Sequence, residues 1–153
     1  MQKILKAAVA ATLVTPPIVM PGVANAADTV FSDVPKTQTH YDNIMALYNE
    51  KVISGYPDGT YKPNASVTRG QAAKIIAGVL GLIKPENTYT GPNPNFADVP
   101  VTHSYYKYIA VLAQAGIING YPDGTYKPNN TLRRGQMAKI IYNGFNLDKF
   151  PDV

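Results

Sequence analysis

Apolar residues recur at helical spacing in four stretches of the chain. From Tyr41 they fall at i, i+3, i+4, i+7 and i+11, ending on Val52, which is the stripe of an amphipathic helix. A second stripe follows Thr68 and consists of Ala72, Ile75, Ile76, Val79 and Leu80. The first stripe starts again at Tyr106, an offset of 65 positions (106 − 41), and the second includes Ile140, Ile141 and Phe145. The pattern therefore predicts four helices, arranged as two consecutive helix pairs.

Polar and glycine residues mark where these helices are expected to start and stop. Thr39 and Ser104 are placed to cap the first helix of each pair, and Thr68 with Gln71 has the form of a capping box for the second. Gly81 stands where that second helix should end. These signals predict helices of ordinary length with defined ends.

Between the helices of each pair lies a ten-residue stretch that occurs twice, as Gly55–Asn64 and 65 positions later as Gly120–Asn129. Its Pro-Asp-Gly core is typical of a tight turn, in which Asp58 bonds its own backbone and Gly59 takes positive φ. Gly55 and Gly116 are each expected near a helix end in the left-handed conformation. We predict a tight loop or a small β-ribbon here.

A short motif, Phe-x-Asp-Val-Pro, opens each pair at Phe31 and Phe96, and residues 150–153 repeat its first four positions as Phe-Pro-Asp-Val. Asp33 and its counterpart Asp98 are predicted to cap backbone N–H groups of the local turn. A period of this length indicates a supersecondary unit used more than once. The fold class predicted is all-α, built from tandem helix–loop–helix repeats.

These observations divide the chain into segments, with a third unit announced at its end. Repeat 1 covers residues 27–84, a Pro/Asn/Thr-rich linker covers 85–95, repeat 2 covers 96–149, and residues 150–153 start a third repeat. Residues 1–26 are predicted to be a signal peptide, because two lysines precede an apolar run over Ala7–Val14 and Ala24-Asn25-Ala26 then gives the small-x-small pattern of a cleavage site. We expect export, and no membrane span after cleavage.

Composition narrows the function further. Removing residues 1–26 leaves 12 basic and 10 acidic residues of the original 14 and 10, a balance that does not indicate nucleic acid. The chain has no cysteine and only two histidines, and no nucleophile–base constellation stands out. Asp58 and Asp123 lack the further acids of a calcium loop. We expect no catalytic residue, no metal and no cofactor.

Arg69 and Arg134 are the sharpest clue to function, because each is expected in the first turn of a helix, where the macrodipole disfavours a cation. Such an arginine can help the helix N–H groups to bind an anion, and Arg133 adds a second cation in unit two. Alternatively, each arginine pairs with a turn aspartate and locks its unit. On residue types alone, both interpretations stay open.

The 11 tyrosines, with no tryptophan, also allow two interpretations. Tyr56 and Tyr121 flank the repeated turn, where their rings can stack on sugars. Packing over the base of the loop is the commoner explanation for such rings.

Together these motifs resemble the S-layer homology (SLH) module of bacterial surface proteins, over essentially all of residues 31–153. The resemblance implies units that usually come in threes around a pseudo-threefold axis. It also implies binding of secondary cell-wall polysaccharide, often carrying an anionic pyruvate ketal, in grooves between units. The motif arginine maps onto Arg69 and Arg134. The glycine that admits ligand to the backbone maps onto Gly55 and Gly120.

This chain departs from the family pattern in two places. The tryptophan near the start of the first helix is absent, with Thr39 or Ser104 in its region. The acidic residue two positions after the arginine is Gln71 and Gln136, which keeps a capping role and removes a charge. With the resemblance added, the anion site becomes the favoured interpretation of the arginines.

The sequence therefore predicts an exported protein that is held non-covalently at a cell wall, of Gram-positive type, by an anionic polysaccharide. The alternative is a structural module that self-associates into a surface array or docks a protein partner without binding glycan. Two units would leave apolar helix surface uncovered around the shared axis. We therefore expect either self-association into a homo-oligomer or a longer natural chain.

Overall fold

The computed structural model describes residues 29–147, so the expected signal peptide and the third opening motif lie outside the described residues. Within that range the structure contains helices of 9 or 11 residues, none of them long and apolar enough to cross a bilayer. They are α1 (Tyr41–Asn49), α2 (Arg69–Val79), α3 (Tyr106–Gln114) and α4 (Arg134–Gly144). The all-α prediction is confirmed.

The predicted ribbon does not form. Residues 29–147 contain no β-strand. An isolated antiparallel β-bridge within this range joins Thr68 to Thr131. That bridge joins the two units to each other and does not lie within either turn.

The predicted caps of α1 and α3 are wrong. Thr39 is not the cap of α1, which begins after His40 without a side-chain cap, and the Gln38 side chain accepts from the His40 N–H instead. Ser104 is likewise not the cap of α3, where His103 accepts a 3.1 Å hydrogen bond from the N–H two residues on. In both units the acceptor comes from one residue earlier than the pattern indicated.

The capping box of α2 is confirmed. Thr68 Oγ1 accepts from the Gln71 N–H at 3.2 Å, and Gln71 Oε1 accepts from the Thr68 N–H at 2.9 Å. In α4 the cap position is Arg133, whose side chain has no acceptor. Only the half from Gln136 therefore forms there, at 3.0 Å.

Left-handed residues end the helices, though one is not the residue expected. Gly81 and Gly116 have φ of +65° and +71°, as predicted. Helix α1 is instead followed by Lys51 at φ +58°, the position that corresponds to Gly116. Gly55, at φ +67°, lies further on in the turn and does not terminate a helix.

Helix α2 is buried on two sides, which places it between the units. Ile75 packs against the core of unit one, formed by Phe31, Val34, Ile44, Val52 and Ile53. Ala73, Ile76 and Ala77 belong instead to a larger core shared with α3 of unit two. Val79, expected on the buried stripe, is 45% exposed. The buried face is therefore rotated toward the neighbouring unit.

The linker over residues 85–95 has no helix or strand, as predicted, but it is tied to α3. The Tyr89 hydroxyl donates a 2.9 Å hydrogen bond to Gln114 Oε1. Lys107 Nζ donates to the backbone carbonyls of Pro85 and Asn87. The linker is thus held against α3 of unit two.

Candidate functional site

Arg69 lies at the junction between the units. Its Nε donates a 2.7 Å hydrogen bond to the Tyr126 carbonyl. Its guanidinium carbon stands 4.3 Å from the Tyr126 ring centroid and 4.9 Å from that of Tyr121. Arg69 is only 6% exposed. Its partners are therefore a carbonyl and two aromatic faces of the next unit, and not the turn aspartate that the locking interpretation named.

Backbone hydrogen bonds reinforce this junction. The N–H groups of Arg69 and Gly70 donate to the carbonyls of Asn130 and Pro128 at 2.9 and 2.8 Å. The Tyr126 hydroxyl returns a 3.2 Å hydrogen bond to the Arg69 carbonyl. Two of the N–H groups that a helix start would offer to an anion are thus already bonded to protein.

Arg134 occupies the equivalent position in unit two and is exposed. No hydrogen bond or salt bridge joins its side chain to another residue of the range 29–147. An added Cβ at Gly135 would meet nothing within 4 Å, whereas at Gly70 it would meet the Tyr105 ring at 2.4 Å. The start of α4 is therefore open, with exposed Arg133 beside it.

The glycines that open the two turns face a phenylalanine. An added Cβ would lie 2.3 Å from the Phe31 ring at Gly55 and 2.4 Å from the Phe96 ring at Gly120, and 2.8 Å from a turn carbonyl in each case. This packing alone requires glycine at both positions.

Each repeated turn is closed by its aspartate. Asp58 Oδ1 accepts from the Thr60 N–H at 3.0 Å, and its other oxygen lies 3.1 Å from Lys62 Nζ. Hydrogen bonds from Thr60 and Lys62 lower the pKa of Asp58 to about 2. Asp123 has the same contacts in unit two, and Lys127 and Thr125 lower its pKa to about 2.

The opening-motif aspartates cap backbone N–H groups, but in the distant repeated turn, so the prediction that they cap their own local turn is wrong. Asp33 accepts from the N–H groups of Tyr61 and Lys62 at 2.8 and 2.7 Å. Desolvation opposes ionisation of Asp33, yet these hydrogen bonds outweigh it and lower its pKa. Asp98 makes the equivalent pair of bonds in unit two. Both residues hold the turn against the start of their unit.

A cavity of about 330 Å³, here called groove 1, lies beside the first turn and is closed on one side by Tyr105 of unit two. Gly55 and Tyr56 line it, and Gln71 Nε2 donates a 2.8 Å hydrogen bond to the Tyr56 hydroxyl. Lys74 lines it as well, its Nζ 3.0 Å from Ser54 Oγ. Burial, with a smaller contribution from Lys107, lowers the pKa of Lys74.

Groove 2, a cavity of about 160 Å³, is the counterpart in unit two. It is lined by Gly120, Tyr121, Gln136 and Lys139, and Arg69 of unit one borders it. Tyr121 is oriented as in groove 1, since Gln136 Nε2 donates to its hydroxyl at 3.0 Å. Groove 2 therefore has the arginine that groove 1 lacks, and its lining among the described residues has no counterpart of Tyr105.

The structure thus gathers Gly55, Tyr56 and Gln71 in one groove and their counterparts in another, each with a lysine that the sequence analysis did not single out. Lys74 and Lys139 do recur at the 65-residue offset, so the repeat itself contained the signal. Tyr105 could not be found this way, because unit one has His40 there. Within the described range no three His, Asp or Glu side chains gather as metal ligands.

The fold and grooves define a class: a tandem helical repeat module whose units bury an arginine between them. The S-layer homology domain model matches residues 30–73 and 95–138, so the chain belongs to the S-layer homology domain family.

Three relatives agree with this assignment. The chain is 33% identical over 117 residues to cell surface glycoprotein 1 of Acetivibrio thermocellus, covering 72% of this chain and 5% of that protein. An uncharacterized cell wall amidase of Bacillus anthracis is 31% identical, with 91% and 25% covered. An S-layer protein of Bacillus licheniformis is 34% identical, with 83% and 14% covered. The chain thus spans a quarter or less of each relative.

Proposed function

We propose that this chain anchors an exported protein to a bacterial cell wall by binding an anionic wall polysaccharide between its repeats. The names of its relatives, a cell surface glycoprotein, a cell wall amidase and an S-layer protein, support a wall or surface location. The acid we propose is a pyruvate ketal and the envelope one of Gram-positive type. The module itself is non-catalytic, and any catalysis belongs to other parts of a longer protein.

Groove 1 is the observation that carries the proposal. Tyr56 and Tyr105 offer aromatic faces on which a sugar ring can stack, and Gln71 holds the Tyr56 hydroxyl in place. Lys74 supplies a cation for a carboxylate, while Ser54 offers a hydroxyl to the sugar. Aromatic faces, neutral hydrogen-bonding groups and one cation are together the chemistry that a singly acidic saccharide requires.

The arginines divide between two roles in this proposal. Arg69 serves the junction through its bonds to Tyr126, and its edge on groove 2 reaches ligand bound beside Tyr121. Arg134 and Arg133 are exposed and available to the acidic groups of the polymer. A third unit following residues 150–153 would wall groove 2 as Tyr105 walls groove 1 and complete a pseudo-threefold bundle.

Sedimentation with purified cell walls tests the proposal. The exported chain should co-sediment with intact walls and fail to do so after the polysaccharide is extracted. Lys74→Met should weaken binding roughly tenfold or more, because a hydrogen bond to a charged group contributes about 1.5–3 kcal/mol. Lys36→Met, an exposed lysine outside both grooves, is the matched control. Undiminished binding to extracted walls would contradict the proposal.

One observation also favours the second candidate function, self-association. Ile141 and Tyr142 of α4, and Phe145 directly after it, are 38, 50 and 44% exposed, and they form an apolar surface of the kind that marks an interaction site. A structural role would use this face and leave the grooves empty.

A further inference from the structure

The junction between the units joins two different surfaces, and each unit carries both. One, the insert, is the second helix with its leading arginine, which α2 supplies here. The other, the receptor, is the turn and first helix, which unit two supplies here. We propose that the insert of α4 docks head to tail into the receptor of unit one in a second copy of this chain. Within the described range, the insert of unit two and the receptor of unit one are the two surfaces that no other unit covers.

The groups that make the existing junction are repeated on the uncovered surfaces. Arg134 and Gly135 repeat the arginine and glycine whose N–H groups bond the neighbouring unit. Tyr56, Tyr61 and Pro63 repeat the tyrosines and the proline that receive them. The α4 arginine can therefore donate to the Tyr61 carbonyl of another copy, as Arg69 does to its neighbour.

Side-chain size differs between the two inserts. Ala77 of α2 is 0% exposed and lies in the core at the junction, and Ala72 is 2% exposed. The same positions of α4 are Met137 and Tyr142, which are far larger. Helix α4 would overpack a receptor built like that of unit two, because cores do not absorb extra volume.

The receptors differ in the opposite direction. In unit two, Tyr108 lies in the core that contains Ala77 of α2, and Tyr105 packs against that core. Unit one has His40 and Asn43 at these positions, and both are exposed. The smaller side chains make room for a larger insert, so the two uncovered surfaces are matched in volume to each other.

The charges on the two uncovered surfaces are also complementary. Within the junction, Lys74 of α2 and Lys107 of α3 are close enough for mutual repulsion to help lower the pKa of Lys74. The corresponding residues of the uncovered surfaces are Lys139 on α4 and Asp42 on α1. Contact between two copies would therefore put opposite charges where the existing junction has like charges. This complementarity singles out a second copy as the partner.

Sedimentation velocity of the exported chain, at increasing concentration and without wall material, tests the docking. We expect concentration-dependent association, weakened about tenfold or more by Arg134→Ala. Asp42→Lys and Lys139→Asp should each weaken it by about three- to tenfold, since each puts like charges together. An equimolar mixture of these two variants should regain association, because every contact then pairs opposite charges.

The mixture separates docking from a loss of folding, since an unfolded variant gains nothing from its partner. Substitution of Lys84, an exposed lysine at the end of repeat 1, is the control, and Lys84→Asp should leave association unchanged. The proposal is overturned if the wild-type chain stays monomeric at every concentration. That result would be expected if α4 were covered by a further part of the same chain. The proposal is also overturned if the equimolar mixture of the two charge variants associates no more strongly than either variant alone. Wall binding plays no part in either readout.

Discussion

The starts of α2 and α4 carry the same three residues, Arg-Gly-Gln, and occupy opposite environments. At α2 the arginine is 6% exposed and bonded to the Tyr126 carbonyl. At α4 the arginine is exposed and its neighbouring glycine faces open space. The motif is thus a potential junction, and whether its arginine is a buried connector or a free cation depends on the unit that follows it.

This difference bears on how the family motif should be interpreted. A single arginine position can be buried between units at one repeat and exposed to solvent at the next. Arg69 does the first and also borders groove 2, so one side chain links the packing of the units to the shape of a groove. Mutational data averaged over both arginines would conceal this division.

Replacing each of the two arginines in turn should give the largest difference in stability between the two helix starts. Arg69→Ala leaves the Tyr126 carbonyl without its charged donor, so we expect a loss of about 2–3 kcal/mol in the free energy of unfolding. Arg134→Ala should change it by no more than about 0.5 kcal/mol, as for other exposed positions. Urea denaturation of the wild type and both variants measures the difference. Equal losses would show that the two starts are not different environments.

The glycines that follow the two arginines provide a test with a smaller effect, in which we expect stability to change in opposite directions. At Gly70 an added methyl group meets the Tyr105 ring, and overpacking of this kind costs about 1–3 kcal/mol. At Gly135 no atom lies within 4 Å, so alanine should stabilise the chain by up to about 1 kcal/mol through helix propensity. Thermal unfolding should show melting temperatures moving in opposite directions. A fall for both variants would mean that the start of α4 is covered in solution.

The pKa values of the two turn aspartates provide the test with the smallest effect. Here we expect no difference between the units. Asp58 and Asp123 both have a pKa of about 2, below the ordinary 3.8. Each carboxylate therefore stabilises the folded turn fully above about pH 4, and this contribution is lost as the pH falls through about 2. NMR titration of the two side-chain carboxyl carbons should give equal midpoints near 2. A midpoint near 3.8 for one of them would show that its turn opens in solution.

Features set by near neighbours along the chain could be predicted from sequence. The helices, the Thr68 capping box and the positive φ of Gly59 all depend on residues within a few positions. Features set by distant contacts could not. The amide donors to Asp33 lie 28 and 29 residues away, and Val79 is exposed because the buried face of α2 turns toward unit two.

The candidate site was predictable to a similar extent. The repeat pointed to Gly55, Tyr56 and Gln71, which do meet in groove 1. Lys74 repeats as faithfully but looks like an ordinary solvated lysine until the fold places it beside Ser54. Tyr105 enters the groove from the other unit, and no spacing within one unit could indicate that.

The linker over residues 85–95 has a consequence for where association occurs. It keeps unit two beside unit one, so the existing junction closes at an effective molarity that short tethers raise into the millimolar range. Two separate copies have no such tether and must reach a comparable local concentration by other means. Immobilisation on a common surface provides it, since it confines neighbours to a thin layer. A wall that binds this chain would therefore also promote its lateral assembly, at bulk concentrations where the free protein is monomeric.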